Sequence, residues 1–169
     1  MYPGSKLILK YMSVLQKAES QYGSFIHVFS FKATHQDLVD FLNQLQLRVS
    51  NNQTRLRKII KVLHQEVPEE SADGLKGIFK EGYYMIANEH DAYIVDSIIT
   101  LSVIQASYYK LNYYMQVLTH LKKSYHQELS SLVEDIIKEE ERLLHNIQDI
   151  QMQLHKKTIT DPVIDNLFH

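Results

Sequence analysis

The chain has no cysteine and no tryptophan, and only 5 glycines and 3 prolines in 169 residues. Without cysteine there is no disulfide framework, thiolate zinc site, iron–sulfur cluster or cysteine nucleophile. An excess of either charge is also lacking. The 18 Lys and Arg stand against 20 Asp and Glu, a formal net charge of -2, which argues against a surface built throughout for nucleic acid. Apolar runs are short and broken by charges, so no membrane span fits. The N-terminal MYPGSKLILKYM is basic, but Tyr11 and Gln16 interrupt the apolar stretch and no small-residue cleavage site follows. These absences predict a cytoplasmic, soluble protein of one domain.

The few chain breakers are concentrated. Apart from Gly23 and Pro162, they lie at the extreme N-terminus and between Pro68 and Gly82. The segments Ser24 to Val67 and Tyr83 to Asp161 contain neither residue, as helices require, because Gly and Pro cost about 1 and 3 kcal/mol in a helix interior. Apolar residues recur in these segments at steps of three and four, the mark of a helix with one buried face. The first helix carries Leu7, Tyr11, Leu15, Ala18, Tyr22, Phe25, Ile26 and Phe29, and the second Leu38, Phe41, Leu42, Leu45, Val49, Leu56, Ile59 and Leu63. The third carries Ile94, Ile98, Leu101, Tyr108, Met115 and Leu118, and the fourth Leu129, Val133, Ile136, Leu143, Ile147, Ile150 and Leu154. Thr34 with Asp37, and Ser124 with Gln127, resemble capping boxes, and Pro68 should end the second helix.

The expected helices span about 5–31, 35–66, 91–122 and 125–156, with a crossover over 67–90. The crossover has its own apolar pattern (Leu75, Ile78, Phe79, Met85, Ile86), which predicts a short extra helix. At 1.5 Å per residue each long helix runs ~40–50 Å, a length that a two-residue turn cannot span and this crossover can. Short, long, short is the loop order of a ferritin-like bundle with one crossover, and a plain up-down-up-down bundle is the alternative. The predicted fold class is therefore all-α, a ferritin-like four-helix bundle over 1–157 followed by a C-terminal tail over 158–169.

Function in bundles sits on inward polar residues. Breaks in the stripes fall at Glu19, Asn52, Gln105, Asn112 and Glu140. They suit either a hydrogen-bonded buried network that fixes register or a di-metal carboxylate site. The metal reading needs a Glu from each of two helices and Glu-x-x-His from each of the other two. The residues three before the 9 histidines are Ser24, Lys32, Lys61, Ala87, Val117, Lys123, Arg142, Met152 and Asn166, and none is a carboxylate. The nearest remnant is Glu141 with His145, one helical turn apart, which suits a surface ion pair better than a metal site. Hydrolase, phosphate-loop and zincin motifs are absent from the sequence.

Arg55, Arg57, Lys58 and Lys61 make the second helix locally basic, which suits a solvated face better than a nucleic-acid patch. Tyr108, Tyr109, Tyr113 and Tyr114, with Ile99, Val103 and Ile104, spread apolar surface around the third helix. A helix apolar on several sides is covered on several sides, by the crossover or by another subunit, and a homodimer is the favoured expectation.

The segment Asp73 to Gln105 resembles the YciF/YciE-like ferritin-like proteins, through Gly77-Ile78-Phe79-Lys80-Glu81-Gly82 and Asp96. Ala18-Glu19-Ser20-Gln21 is similar to that family's Ala-Glu-x-Gln, and Glu139-Glu140-Glu141-Arg142 to its acidic run. The resemblance spans about Tyr11 to Ile150 and implies the fold, a dimer and a stress-linked bacterial role. It also implies a metal-ligand role for Glu19, but the second-helix Glu-x-x-His then falls near Leu47 and Ser50, and the third-helix carboxylates near Ser107 and Lys110. The expectation is a non-catalytic bundle with a degenerate metal site. No catalytic, cofactor or metal residue is assigned, and no nucleic-acid, membrane or small-molecule partner. The alternative is an iron or manganese protein using Glu19, Glu140, Glu141 and His145.

Overall fold

The computed structural model describes residues 3–63, 69–124 and 126–159. Among them are α1 (Pro3–Ser30), α2 (Gln36–Leu63), α3 (Asp73–Ile86), α4 (Ala92–Lys123) and α5 (Gln127–Ile159), and no strand. The stop expected at Pro68 lies outside the described residues, as does the tail expected from 158, apart from the two residues that close α5.

The all-α bundle expected from the breaker pattern is what the chain forms. Tyr11 of α1 meets Tyr113 of α4, and Tyr22 meets Ser107. As α1 advances, its partners on α4 fall in number, so the two are antiparallel. His27 with Gln46 and Glu19 with Asn52 show the same for α1 and α2. Helices α2 and α4 therefore point the same way, which only a connection spanning the bundle permits. That connection carries α3, which packs on α4 and α1. Phe79 of α3 anchors it among Tyr22, Phe25 and Phe29, at ring-centroid distances of 5.3, 4.9 and 5.7 Å. Three residues on, a Cβ at Gly82 would lie 2.1 Å from Ser102 Oγ, so only glycine permits this approach to α4.

Each long helix buries a stripe, though not always the expected one. On α1 the buried stripe is Ile8, Met12, Leu15, Tyr22, Ile26 and Phe29, while Leu7 and Tyr11 are half-buried. On α4 the error is larger. Ile94, Leu101, Tyr108 and Met115 are 40–48% exposed, and the buried face runs through Val95, Ile99, Val103, Ala106, Tyr114, Val117 and Leu121. A helix apolar all round offers no polar face to fix its phase, and the seven-residue recurrence selected its outer side. On α3, Met85 is likewise exposed. No described helix is long and apolar enough to cross a membrane.

The expected caps also resolve differently. Thr34 does not cap α2 with its own hydroxyl, which donates to Asp96 Oδ2 of α4 at 2.7 Å. Asp96 further accepts the backbone N–H of Thr34 (2.8 Å) and His35 (2.9 Å), so a carboxylate from α4 anchors the turn that leads into α2. Ser124 closes α4 rather than opening α5, its hydroxyl donating to the His120 and Leu121 carbonyls at 3.0 Å. Asp91 opens α4 by accepting from Tyr93 and Ile94 N–H. Asp96→Ala should cost about 3 kcal/mol of unfolding free energy in urea titration, against about 1 kcal/mol for Thr34→Ala, because it orphans three donors rather than removing one bond.

Candidate functional site

At mid-bundle the apolar stripes of α1, α2, α4 and α5 are interrupted at one level. Glu19 follows Leu15 and Ala18 on α1, Asn52 sits between Val49 and Leu56 on α2, and Glu140 follows Ile136 and Ile137 on α5. The fourth member is Lys110 of α4, fully buried. Its ammonium lies 3.2 and 3.3 Å from the two Glu19 oxygens and 3.0 Å from Glu140 Oε2. It also sits 4.0 Å from the Tyr22 ring centroid, a cation–π contact in dry surroundings. Asn52 Nδ2 donates to both carboxylates, at 3.2 Å to Glu19 Oε1 and 2.8 Å to Glu140 Oε1. The Tyr114 hydroxyl donates to Glu19 Oε1 at 2.8 Å, and the Tyr22 hydroxyl pairs with Ser107 Oγ at 3.1 Å.

The electrostatics follow from burial. Desolvation raises the Glu19 carboxyl pKa, with Lys110 opposing and Glu140 adding to the rise. Desolvation also works against the Lys110 ammonium, but the Glu140 and Glu19 carboxylates outweigh it and hold its pKa above the ordinary lysine range. Burial pushes the Tyr22 and Tyr114 hydroxyls upward as well, so both remain protonated. An ammonium held charged is no nucleophile or base, since lysine catalysis needs the free amine and hence a depressed pKa. Glu19 and Lys110 have no exposed surface and Glu140 only 2%, which leaves a substrate no approach.

Three of the five expected inward polar residues, Glu19, Asn52 and Glu140, thus come together. Gln105 and Asn112 do not; both are exposed on the outer face of α4, as its true phase requires. Glu141 is exposed too, and His145 contacts Asp149 at 3.6 Å with its side chain 74% exposed, so neither joins Glu19 and Glu140. Leu47 and Ser50 also face solvent, and the inward polar residue on α2 is Asn52, with the half-buried Arg55 three residues later. Arg55 turns outward to Glu139, donating at 2.9 and 3.0 Å, and Arg48 adds a third bond at 2.9 Å. That hydrogen bonding from Arg55 lowers the Glu139 pKa and ties up part of the expected basic face.

A di-metal centre asks for Glu, Glu-x-x-His, Glu and Glu-x-x-His from four helices. The corresponding positions hold Glu19, Asn52 with Arg55, Lys110, and Glu140 with Leu143. These residues do not fit a metal pair. The ammonium stands between the only two carboxylates, and an amide, a guanidinium and a leucine replace the other donors. Among the described residues no group of three or more His, Asp or Glu could hold a metal ion. The sequence did carry a signal for Lys110: between Ala92 and Thr119 the only charged residues are Asp96 and Lys110, and a lone charge in an apolar helix marks a buried partner.

Comparison with known proteins agrees with this geometry at the level of fold. The DUF892 family, described as a domain of unknown function, matches residues 11–160. The E. coli stress protein YciF is structurally similar at a TM-score of 0.87, with 12% identity over 93% of this chain and 99% of that one. YcfI from Rhodopseudomonas palustris, for which a structural role has been suggested, is similar at a TM-score of 0.79, with 18% identity over 84% and 90% of the two chains. No curated protein matches the sequence.

Lys110→Met leaves two carboxylates in a dry core and should cost about 3–5 kcal/mol at pH 7. The missing cation makes the folded variant bind protons more readily than its unfolded chain. Its stability deficit against the native protein should therefore shrink as pH falls from 7 toward 5. Urea unfolding across that range checks both the magnitude and the sign.

Proposed function

This chain belongs to the DUF892 family, and on that premise we propose that it is a non-catalytic ferritin-like bundle, a structural or interaction protein of the cytoplasm associated with stress. The observation that carries the reading is the Lys110 ammonium between Glu19 and Glu140, a fixed cation of the protein's own where a bundle of this architecture would place metal ions. One positive charge without exchangeable coordination sites supports neither redox cycling nor metal storage. The closure of the centre to solvent and the raised lysine pKa point the same way. The stress association rests on the likeness to a protein named for stress and the structural role on the likeness to YcfI, and both likenesses are of fold.

Purified protein loaded with ferrous iron or manganese, desalted and analysed for metal should retain far less than one ion per chain. Near-stoichiometric retention would refute the proposal. Lys110→Glu should raise retention above the native level, because it removes the resident cation and supplies a third inward carboxylate. Retention equal to that of the native chain would show that the lysine is not what excludes metal.

A further inference from the structure

On the side of the bundle that α3 does not cover, α2 lies along α5, and the charges between them are unevenly matched. Glu139 of α5 accepts three hydrogen bonds from Arg48 and Arg55 of α2, two of them on the single oxygen Oε2 at 2.9 Å. The Arg142 guanidinium acts on the same carboxylate through space, and Asp135 on Arg55. Lys138 and Arg142 stand exposed one turn apart on α5. Neither makes a hydrogen bond or an ion pair within 4.0 Å among the described residues, and like charges at that spacing repel. Four cations (Arg48, Arg55, Lys138 and Arg142) therefore stand with two carboxylates (Glu139 and Asp135), a local excess of two positive charges. They surround a cleft of about 400 Å³ lined by Arg55, Leu132, Asp135, Lys138, Glu139 and Arg142. A second hollow of about 450 Å³ continues from it, sharing Leu132 and Asp135 and adding the apolar Val62 and Leu129, while the charges of Lys58 and Glu128 there cancel. Arg55 is held in place by its two bonds to Glu139, which leaves the remaining N–H groups of its guanidinium fork to donate elsewhere.

We infer that this cleft binds a soluble phosphomonoester, its phosphate between Arg55, Lys138 and Arg142 and its organic group on Leu132 and Val62. Three properties of the cleft select that ligand. An excess of two positive charges is neutralised by a phosphate dianion, whereas a single carboxylate leaves half of it standing. Guanidinium forks match phosphate oxygens in geometry as well as charge, and Arg55 is fixed before the ligand arrives. An anion seated between Lys138 and Arg142 also removes their mutual repulsion. The size of the first hollow lies in the range of small-ligand sites, roughly 300–1,000 Å³. Its continuation past Leu132 to Val62, a side chain 47% exposed, gives an ester an apolar seat that bare phosphate does not use. None of these residues belongs to the network of Glu19, Lys110 and Glu140, and no bond is made or broken. The inference is therefore independent of whether the bundle centre binds metal.

Isothermal titration of the native chain with phenyl phosphate, inorganic phosphate and benzoate tests the assignment, at a pH above the second phosphate pKa of about 6. Phenyl phosphate should bind once per chain, about tenfold more tightly than inorganic phosphate. Benzoate, with the same ring and one charge, should bind more weakly than phenyl phosphate. Arg142→Gln, at an exposed position, should keep the native circular dichroism and urea midpoint and weaken phenyl phosphate binding about tenfold. Asp135→Asn removes a repelling carboxylate from the lining and should tighten binding roughly threefold. Val62→Ser should erase the advantage of phenyl phosphate over inorganic phosphate while leaving the latter's affinity as it was. The absence of saturable binding at millimolar phenyl phosphate, binding indifferent to Arg142→Gln, or an equal affinity for benzoate would each overturn the inference. Co-sedimentation with phosphatidylcholine vesicles that depends on added phosphatidic acid would overturn the assignment to a soluble ester in favour of a lipid headgroup.

Discussion

An ammonium in a dry core survives only if its surroundings repay the loss of water, and in this bundle the repayment comes from three other helices. Lys110 of α4 is held by Glu19 of α1 and Glu140 of α5, and Asn52 of α2 spans the same two carboxylates. Buried ion pairs contribute little net stability compared with an apolar replacement of equal volume, but losing one member is costly. Their effect is therefore on alignment. Sliding any of the four helices by one turn would strand a charge in hydrocarbon, while leucine-on-leucine packing elsewhere tolerates such a shift far better. Tyr114 and Tyr22 complete the shell, one as a donor to Glu19 and one as a face for the cation.

A second alignment device lies farther along α4, where Asp96 takes the N–H groups of Thr34 and His35. These groups belong to the turn that immediately precedes α2. Borrowing the acceptor from α4 couples the α1–α2 turn to the other half of the molecule. Gly82 does the same for the crossover, since the absence of a Cβ lets α3 lie against Ser102. Specificity in this fold is thus concentrated in a few polar or steric contacts on α4, which touches α1, α3 and α5.

How much of this was legible in the sequence depended on how sharply each segment separated polar from apolar residues. Helices α2 and α5 have strongly two-faced sequences, and Asn52 and Glu140 were found on their inner stripes. The placement of glycine and proline marked the crossover, and with it the loop order. Helix α4 is the least legible, because nearly every position is apolar or uncharged and several phases fit equally. The chosen phase took Gln105 and Asn112 for inward residues and left Lys110 as a mere departure from a ligand pattern. On α2 the family resemblance set the ligand pair near Leu47 and Ser50, which face solvent, whereas the apolar stripe itself placed Asn52 inward. The caps at Thr34 and Ser124 were misjudged because the acceptor or donor that mattered belonged to a different helix or to the preceding one. Such tertiary partnerships leave no local trace.

The central network is also divided between the two short-loop hairpins, with Glu19 and Asn52 on one and Lys110 and Glu140 on the other. Each hairpin can close through contacts near in sequence while its polar groups stay hydrated, because the surface that buries them belongs to the opposite half. Dehydration is therefore deferred to the moment the halves meet, and the long crossover makes that meeting the entropically expensive step. Joining the halves brings the ammonium and its two carboxylates out of water together, so the interface between the hairpins is where the polar network selects one register.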